Sequence, residues 1–137
     1  MRTSTNTHFS QSGFHHIALR ARDFDASLVF YTEGMGFPVA HSWGDGDKRI
    51  ALLGLGDGNY LELFACPEAT EIVGGNQFFH LALRSLDVDS DIEKVRLLGC
   101  PITIEPKSVE VNGKTIRVGF FLGPEGETWE FFQNAEL

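Results

Sequence analysis

Residues Phe14 to Ser27 read FHHIALRARDFDAS, and residues Phe78 to Asp91 read FFHLALRSLDVDSD. Set over each other at an offset of 64 (80 − 16), the two stretches share Phe, His, Ala, Leu, Arg, Asp and Asp, seven identities in fourteen positions. A second echo lies at an offset of 68 (130 − 62), where GNYLELF (Gly58 to Phe64) meets GETWEFF (Gly126 to Phe132). Self-similarity at a fixed spacing marks a fold assembled from repeated supersecondary units. The echoes also align His16 with His80 and Glu62 with Glu130. Any duplicated fold repeats its hydrophobic residues, but a duplicated His and a duplicated Glu need a chemical reason.

Working outward, each echo opens on a strand. Alternation puts His16, Ala18 and Arg20 on one face and Ile17 and Leu19 on the other; the second copy sets His80, Ala82 and Arg84 opposite Leu81 and Leu83. An acidic helix start follows each strand, at Asp23 and at Asp87-Val88-Asp89-Ser90-Asp91, where carboxylates cap free N–H groups. Helix 1 is expected from about Phe24 to Glu33, closed by Gly34 and Gly36. Helix 2 carries Val88, Ile92 and Val95 on one face and stops at Gly99 and Pro101. Three strands are expected after each helix: near Phe37–Trp43, Arg49–Gly54 and Asn59–Phe64, then near Ile102–Glu105, Thr115–Leu122 and Glu127–Gln133. Asn112-Gly113 is a hairpin signal and Pro124-Glu125-Gly126 a turn.

The expected class is therefore α+β, with two tandem βαβββ units at about 13–65 and 77–134, a linker at 66–76 and a loose tail at 1–12. Two curved mixed sheets, each backed by a helix, would close one core within a single domain, 13–137. Around Glu62, Tyr60 and Phe64 share its face; around Glu130, Thr128 and Phe132 share its face. The residues flanking each of the four candidates are mostly large and apolar, which suits the helix-covered side. The His and Glu side chains then belong to the helix-free face, expected as a concave pocket lined by Tyr60, Phe64, Phe78 and Phe132.

Composition narrows the partners. With 137 residues, 42% hydrophobic and 22% charged, the chain reads as an ordinary globular domain. A net charge of −8 argues against nucleic acid and anionic membrane surfaces. No apolar run approaches the roughly 20 residues that cross a bilayer. Cys66 and Cys100 form neither a disulfide framework nor a zinc spacing. A cytoplasmic protein with a small-molecule substrate is expected.

Two carboxylates sharing one cavity repel unless a cation lies between them. Two imidazoles with two carboxylates suit one divalent ion of borderline character, Zn, Ni, Co, Mn or Fe, so His16, Glu62, His80 and Glu130 are the candidate metal ligands. Taken singly, a strand His is more often structural than ligating; the matched set of four reverses that balance. His15 reads as structural or exposed, His8 as part of the tail and His41 as a strand-end residue. Arg20 and Arg84 fit either an anionic substrate group or strand-end ion pairs.

FHHIALRARDFDASLVFY, NYLELF, FFHLALRSLD and VGFFLGPEGETWEFFQ together resemble the vicinal oxygen chelate superfamily, which includes glyoxalase I, the bleomycin-resistance proteins and the extradiol dioxygenases. His16, Glu62, His80 and Glu130 fall where glyoxalase I carries its ligands, and Glu62 separates the chain from members that use only His-His-Glu. The resemblance implies a metal-dependent lyase or isomerase of the glyoxalase I type, acting on a hemithioacetal or α-hydroxycarbonyl compound through a metal-stabilised enediolate. It implies Glu130 as the catalytic base and Glu62 as the group that returns the proton. Arg20 matches an arginine that contacts glutathione, a candidate co-substrate, whereas Phe64-Ala65-Cys66-Pro67 departs from the glyoxalase I pattern. Family members often form homodimers, with a site built within one chain or across two. A non-catalytic small-molecule binder of the bleomycin-resistance type and an iron-dependent extradiol-type dioxygenase are the competing readings.

Overall fold

The computed structural model describes residues 5, 7, 8, 14–68, 80–111 and 113–133. Phe78, most of the expected linker and most of the tail lie outside them. The first unit comprises β1 (His16–Ala21), α1 (Phe24–Val29), β2 (Val39–Trp43), β3 (Ile50–Gly56) and β4 (Asn59–Ala65). The second comprises β5 (Leu81–Arg84), α2 (Val88–Leu97), β6 (Ile102–Val111), β7 (Lys114–Leu122) and β8 (Thr128–Gln133). The sheets run β1-β4-β3-β2 and β5-β8-β7-β6, with the first pair of each parallel and the others antiparallel. Both are the expected βαβββ units.

Several of the residues that repeat have visible work. The Asp23 carboxylate accepts the Ala26 N–H at 3.0 Å and the Asp87 carboxylate accepts the Ser90 N–H at 3.1 Å, so each caps its helix. Asp25 takes a hydrogen bond from Arg49 at 2.8 Å, and Asp89 one from Arg117 at 2.7 Å. Arg49 and Arg117 stand at the offset of the second echo (117 − 49 = 68). Each unit thus ties the first turn of its helix to an arginine at or just before its third strand by the same kind of ion pair.

Two departures from the sequence reading have local causes. Helix 1 changes to a π-turn over Phe30–Gly34, where the Thr32 hydroxyl donates to the Leu28 carbonyl at 2.6 Å and competes with the backbone ladder. β6 does not stop at Glu105 but continues through Pro106 to Val111. It is an edge strand, and its register shifts between Ile104 and Lys107, so the missing proline N–H costs no ladder bond there.

One core joins the units. Leu53, Leu61 and Leu63 from the first sheet and Phe121, Trp129 and Phe131 from the second share a cluster with Phe24, Tyr31, Val88, Ile92 and Val95. These strand residues are the partners in parity of the candidate ligands, so the core occupies the opposite faces. α2 sits close on β7 because Gly119 has no side chain: a Cβ there would lie 2.7 Å from Ile92.

The β7–β8 turn pins the units together through two carboxylates. Glu125 accepts the Asp23 N–H at 3.2 Å and Arg22 Nε at 3.1 Å. Glu127 accepts the buried Tyr31 hydroxyl and the Glu125 N–H at 2.8 Å, while Trp129 Nε1 donates to the Tyr31 oxygen at 3.0 Å. Burial raises the Glu127 carboxyl above its ordinary 4.5, against the lowering effect of the Tyr31 hydroxyl. Burial, with the Glu127 charge beside it, also raises the Tyr31 phenol.

Tyr31→Phe leaves the Glu127 carboxylate and the Trp129 N–H without their shared partner, and should lower the unfolding free energy by about 1–3 kcal/mol, read by chemical denaturation. An unchanged midpoint would contradict the pinning role. The pH signs differ among these acids. The Arg49 and Arg117 hydrogen bonds hold Asp25 and Asp89 below 3.8, so their stabilisation is present above that value and is lost as pH falls through the folded values. The raised Glu127 does the reverse: stability declines as pH rises from 4.5 through its folded value. Glu127→Gln should flatten that decline in a pH series of unfolding midpoints.

Candidate functional site

Strand parity sends the four candidate ligands out on the faces opposite the core. In β1, His16, Ala18 and Arg20 are exposed, and Glu62 in β4 is half-buried between the fully buried Leu61 and Leu63. Ala18 pairs in register with Glu62, and Ala82 with Glu130. The repeated alanine therefore stands beside each Glu on the neighbouring strand and leaves the space over the carboxylate open. One strand position pair earlier, the histidine reaches that space diagonally.

The outcome is a matched pair of donors in each unit. His16 Nε2 lies 3.6 Å from Glu62 Oε1, and His80 Nε2 lies 3.5 Å from Glu130 Oε1. Two donors on one ion at about 2.0–2.2 Å are separated by roughly 3.0–3.4 Å for octahedral to tetrahedral angles. Each pair is thus within a few tenths of an ångström of a two-ligand half site, and the donor chemistry fits a divalent ion. The imidazoles are the more open members, with side chains 42% and 30% exposed against 17% for Glu62 and 10% for Glu130. An ion would approach from the histidine side, with the carboxylates at the floor.

The four do not meet in one chain. Among the described residues no three His, Cys, Asp or Glu side chains cluster as a metal site. The reason is the shared core: it brings the helix-side faces of the sheets together, which leaves the two His–Glu pairs apart.

The two pairs also differ. Burial raises the Glu130 carboxyl above 4.5, with His80 pulling the other way. His80 meets the edge of Phe120 at 5.2 Å and 90° between ring planes. His16 instead touches His15, Nδ1 to Nδ1 at 2.9 Å, and the His15 ring lies 5.3 Å from Tyr60.

The remaining candidates separate. Tyr60 and Phe64 are half-buried on the face of Glu62. Phe132 is half-buried and borders a cavity of about 710 Å³ at the seam between the units, with Arg84, Asp57, Leu55 and Phe37. That cavity includes none of the four His and Glu candidates, nor Tyr60 or Phe64. Arg84 is ion-paired to Asp57 in the β3–β4 turn, while its counterpart Arg20 stays exposed on the His16 face. Sequence reasoning passed over Glu125, Glu127 and Tyr31. Their signal was available as two acids in a turn that also repeats, but only the fold shows which helix receives them. No helix among the described residues is long and apolar enough to cross a membrane.

A family model described as Glyoxalase/Bleomycin resistance protein/Dioxygenase superfamily matches residues 13–131. A probable lactoylglutathione lyase of Vibrio cholerae is 29% identical over 126 residues, covering 88% of this chain and 90% of that protein. A putative lactoylglutathione lyase of Brassica oleracea is 32% identical over 128 residues, covering 89% of this chain but 44% of that longer protein. Among solved structures, a glyoxalase I mutant from Zea mays superposes with a TM-score of 0.74 at 28% identity, over 90% of this chain and 45% of that one. An antibiotic-binding protein from a Streptomyces species has the same fold, with a TM-score of 0.72 at 22% identity over 93% of this chain and 100% of that one.

Since His80 favours the charged form of Glu130, His80→Ala in the metal-free protein should raise the Glu130 carboxyl further. Carboxyl-carbon NMR titration reads this directly. A downward movement would contradict the pairing seen here.

Proposed function

The chain belongs to the Glyoxalase/Bleomycin resistance protein/Dioxygenase superfamily, and on that premise we propose that it is a metal-dependent lyase or isomerase of the glyoxalase I type, with a site completed between two copies. The observation that carries this reading is the matched pair of His–Glu donors, one in each unit and both within a few tenths of an ångström of the spacing of ligands on one ion. His16 and Glu62 of one copy would hold the ion together with the partner's His80 and the partner's Glu130. Relatives at about 30% identity that are named lactoylglutathione lyases support the same reaction class.

When bound, the divalent ion supplies Lewis-acid stabilisation of the charge that develops on adjacent substrate oxygens. The chain's own residues do the rest. Glu130 takes the proton from the carbon next to the carbonyl; its limited solvation strengthens it as a base. The proton passes from Glu130 to Glu62, which gives it to the neighbouring carbon, while the hydroxyl proton moves to the former carbonyl oxygen, so the substrate is isomerised and both carboxylates return to their starting states. The exposed Arg20 offers its guanidinium to a carboxylate on the substrate's thiol portion, with glutathione as the first thiol to test. Arg84, already paired with Asp57, has less charge to offer.

Protein purified without added metal should carry a stoichiometric divalent ion and convert a hemithioacetal of an α-ketoaldehyde. Glu130→Gln should lose at least about 10²-fold in turnover, the usual contribution of a positioned base, and retain most of its metal. Full activity in that variant would refute the base assignment. Absence of any stoichiometric ion would favour the non-catalytic binder, and strictly oxygen-dependent product formation would favour the dioxygenase reading.

Subunit mixing tests the assembly. His16→Ala and His80→Ala homodimers each lose both sites. A purified mixed dimer of the two should regain one intact site, because both lesions fall together in the other. A mixed dimer without bound metal would show that each site is built within one chain.

A further inference from the structure

We propose that His15 is a positioning residue for His16: its Nδ1 accepts the proton-bearing Nδ1–H of His16 and so leaves the His16 Nε2 lone pair free for the ion. The inference rests on the metal-site reading above and deepens it.

The geometry is specific. The two Nδ1 atoms are 2.9 Å apart, a hydrogen-bond distance that requires one nitrogen to donate and the other to accept. The nitrogen of His16 that faces Glu62 is Nε2, at 3.6 Å. A neutral imidazole that presents a lone pair at Nε2 must carry its proton on Nδ1. His16 is then the donor and His15 the acceptor, with the His15 proton on its own Nε2. Partners of this kind, set behind a ligating histidine, fix its tautomer and ring orientation and raise its basicity.

His15 is itself held in place. Its carbonyl accepts the Tyr60 N–H at 2.8 Å, which adds one rung to the β1–β4 ladder beyond the first strand residue. Its ring stands edge-on to His16, at 86° and 5.2 Å, and lies 5.3 Å from the Tyr60 ring. β1 begins only at His16, so the alternation that would send adjacent side chains to opposite faces does not yet apply to His15.

The repeat makes the residue informative. Position 15 corresponds to position 79 (79 − 15 = 64), which is Phe. A phenyl ring has no nitrogen to accept a hydrogen bond, so this device belongs to the first unit alone. The two ligand imidazoles should therefore differ: the tautomer of His16 is set by its sequence neighbour, that of His80 by other surroundings.

The experiment compares wild type, His15→Phe (the residue of the other unit), His15→Asn (which keeps a short acceptor) and His16→Ala. Zinc affinity is measured by chelator competition, and ring-nitrogen NMR of the metal-free proteins reports the His16 tautomer. His15→Phe should weaken zinc binding by about 10–100-fold and erase the Nδ1–H preference of His16, with an unchanged unfolding midpoint. His15→Asn should recover most of both. If His15→Phe keeps wild-type affinity while His16→Ala loses it, the inference falls and the metal site stands. If wild type itself binds no zinc, the metal reading falls and takes this inference with it.

Discussion

Successive side chains of a strand must leave on opposite faces, and one core can cover only one face of each sheet. Here that core takes Leu61, Leu63, Trp129 and Phe131, the immediate neighbours of Glu62 and Glu130. The carboxylates are consequently committed to the other faces, with His16 and His80 beside them. The same packing that makes a single chain stable therefore holds its two His–Glu pairs apart. The proposed four-ligand site would bring together faces from two chains, which ties the proposed chemistry to assembly.

The repeat makes much of this legible in the sequence. Parity alone places the four candidate ligands on the helix-free faces; burial alternates in β1, β4 and β5, whereas in β8 Glu130 is buried along with its neighbours Trp129 and Phe131. The repeated Asp23/Asp87 and Ala18/Ala82 have local roles, as caps and as the small residues beside each Glu. Local roles are what a sequence displays well. The partners of Asp25 and Asp89 are harder to read, because Arg49 lies just before the third strand and Arg117 within it, and they follow the second offset rather than the first.

What the sequence hid is the contact between units. Pro124-Glu125-Gly126 reads as a turn from its residues, but nothing local says that its acids reach Arg22, Asp23 and Tyr31 about a hundred positions away. The concave pocket expected around Tyr60, Phe64, Phe78 and Phe132 is also an inference about faces; of these residues Phe132 borders the cavity at the seam between the units, and Phe78 lies outside the described residues. The end of β6 is hidden for a related reason: a proline disrupts an interior strand, and only the sheet order reveals that β6, with Pro106, lies at an edge.

Duplication with divergence also explains why equivalent positions need not do equal work. Arg20 is exposed where Arg84 is paired, and His15 can accept a hydrogen bond where Phe79 cannot. Glu130 is the more enclosed of the two carboxylates. That asymmetry fits the proposed roles, in which the more enclosed Glu130 takes the proton from carbon. The most direct measurement is a crystal structure of metal-loaded protein with anomalous scattering recorded at the edge of the bound metal. The account predicts one ion per site, bound by His16 and Glu62 of one chain and by the partner's His80 and the partner's Glu130. An anomalous peak held by other residues, or by all four side chains of a single chain, would contradict it.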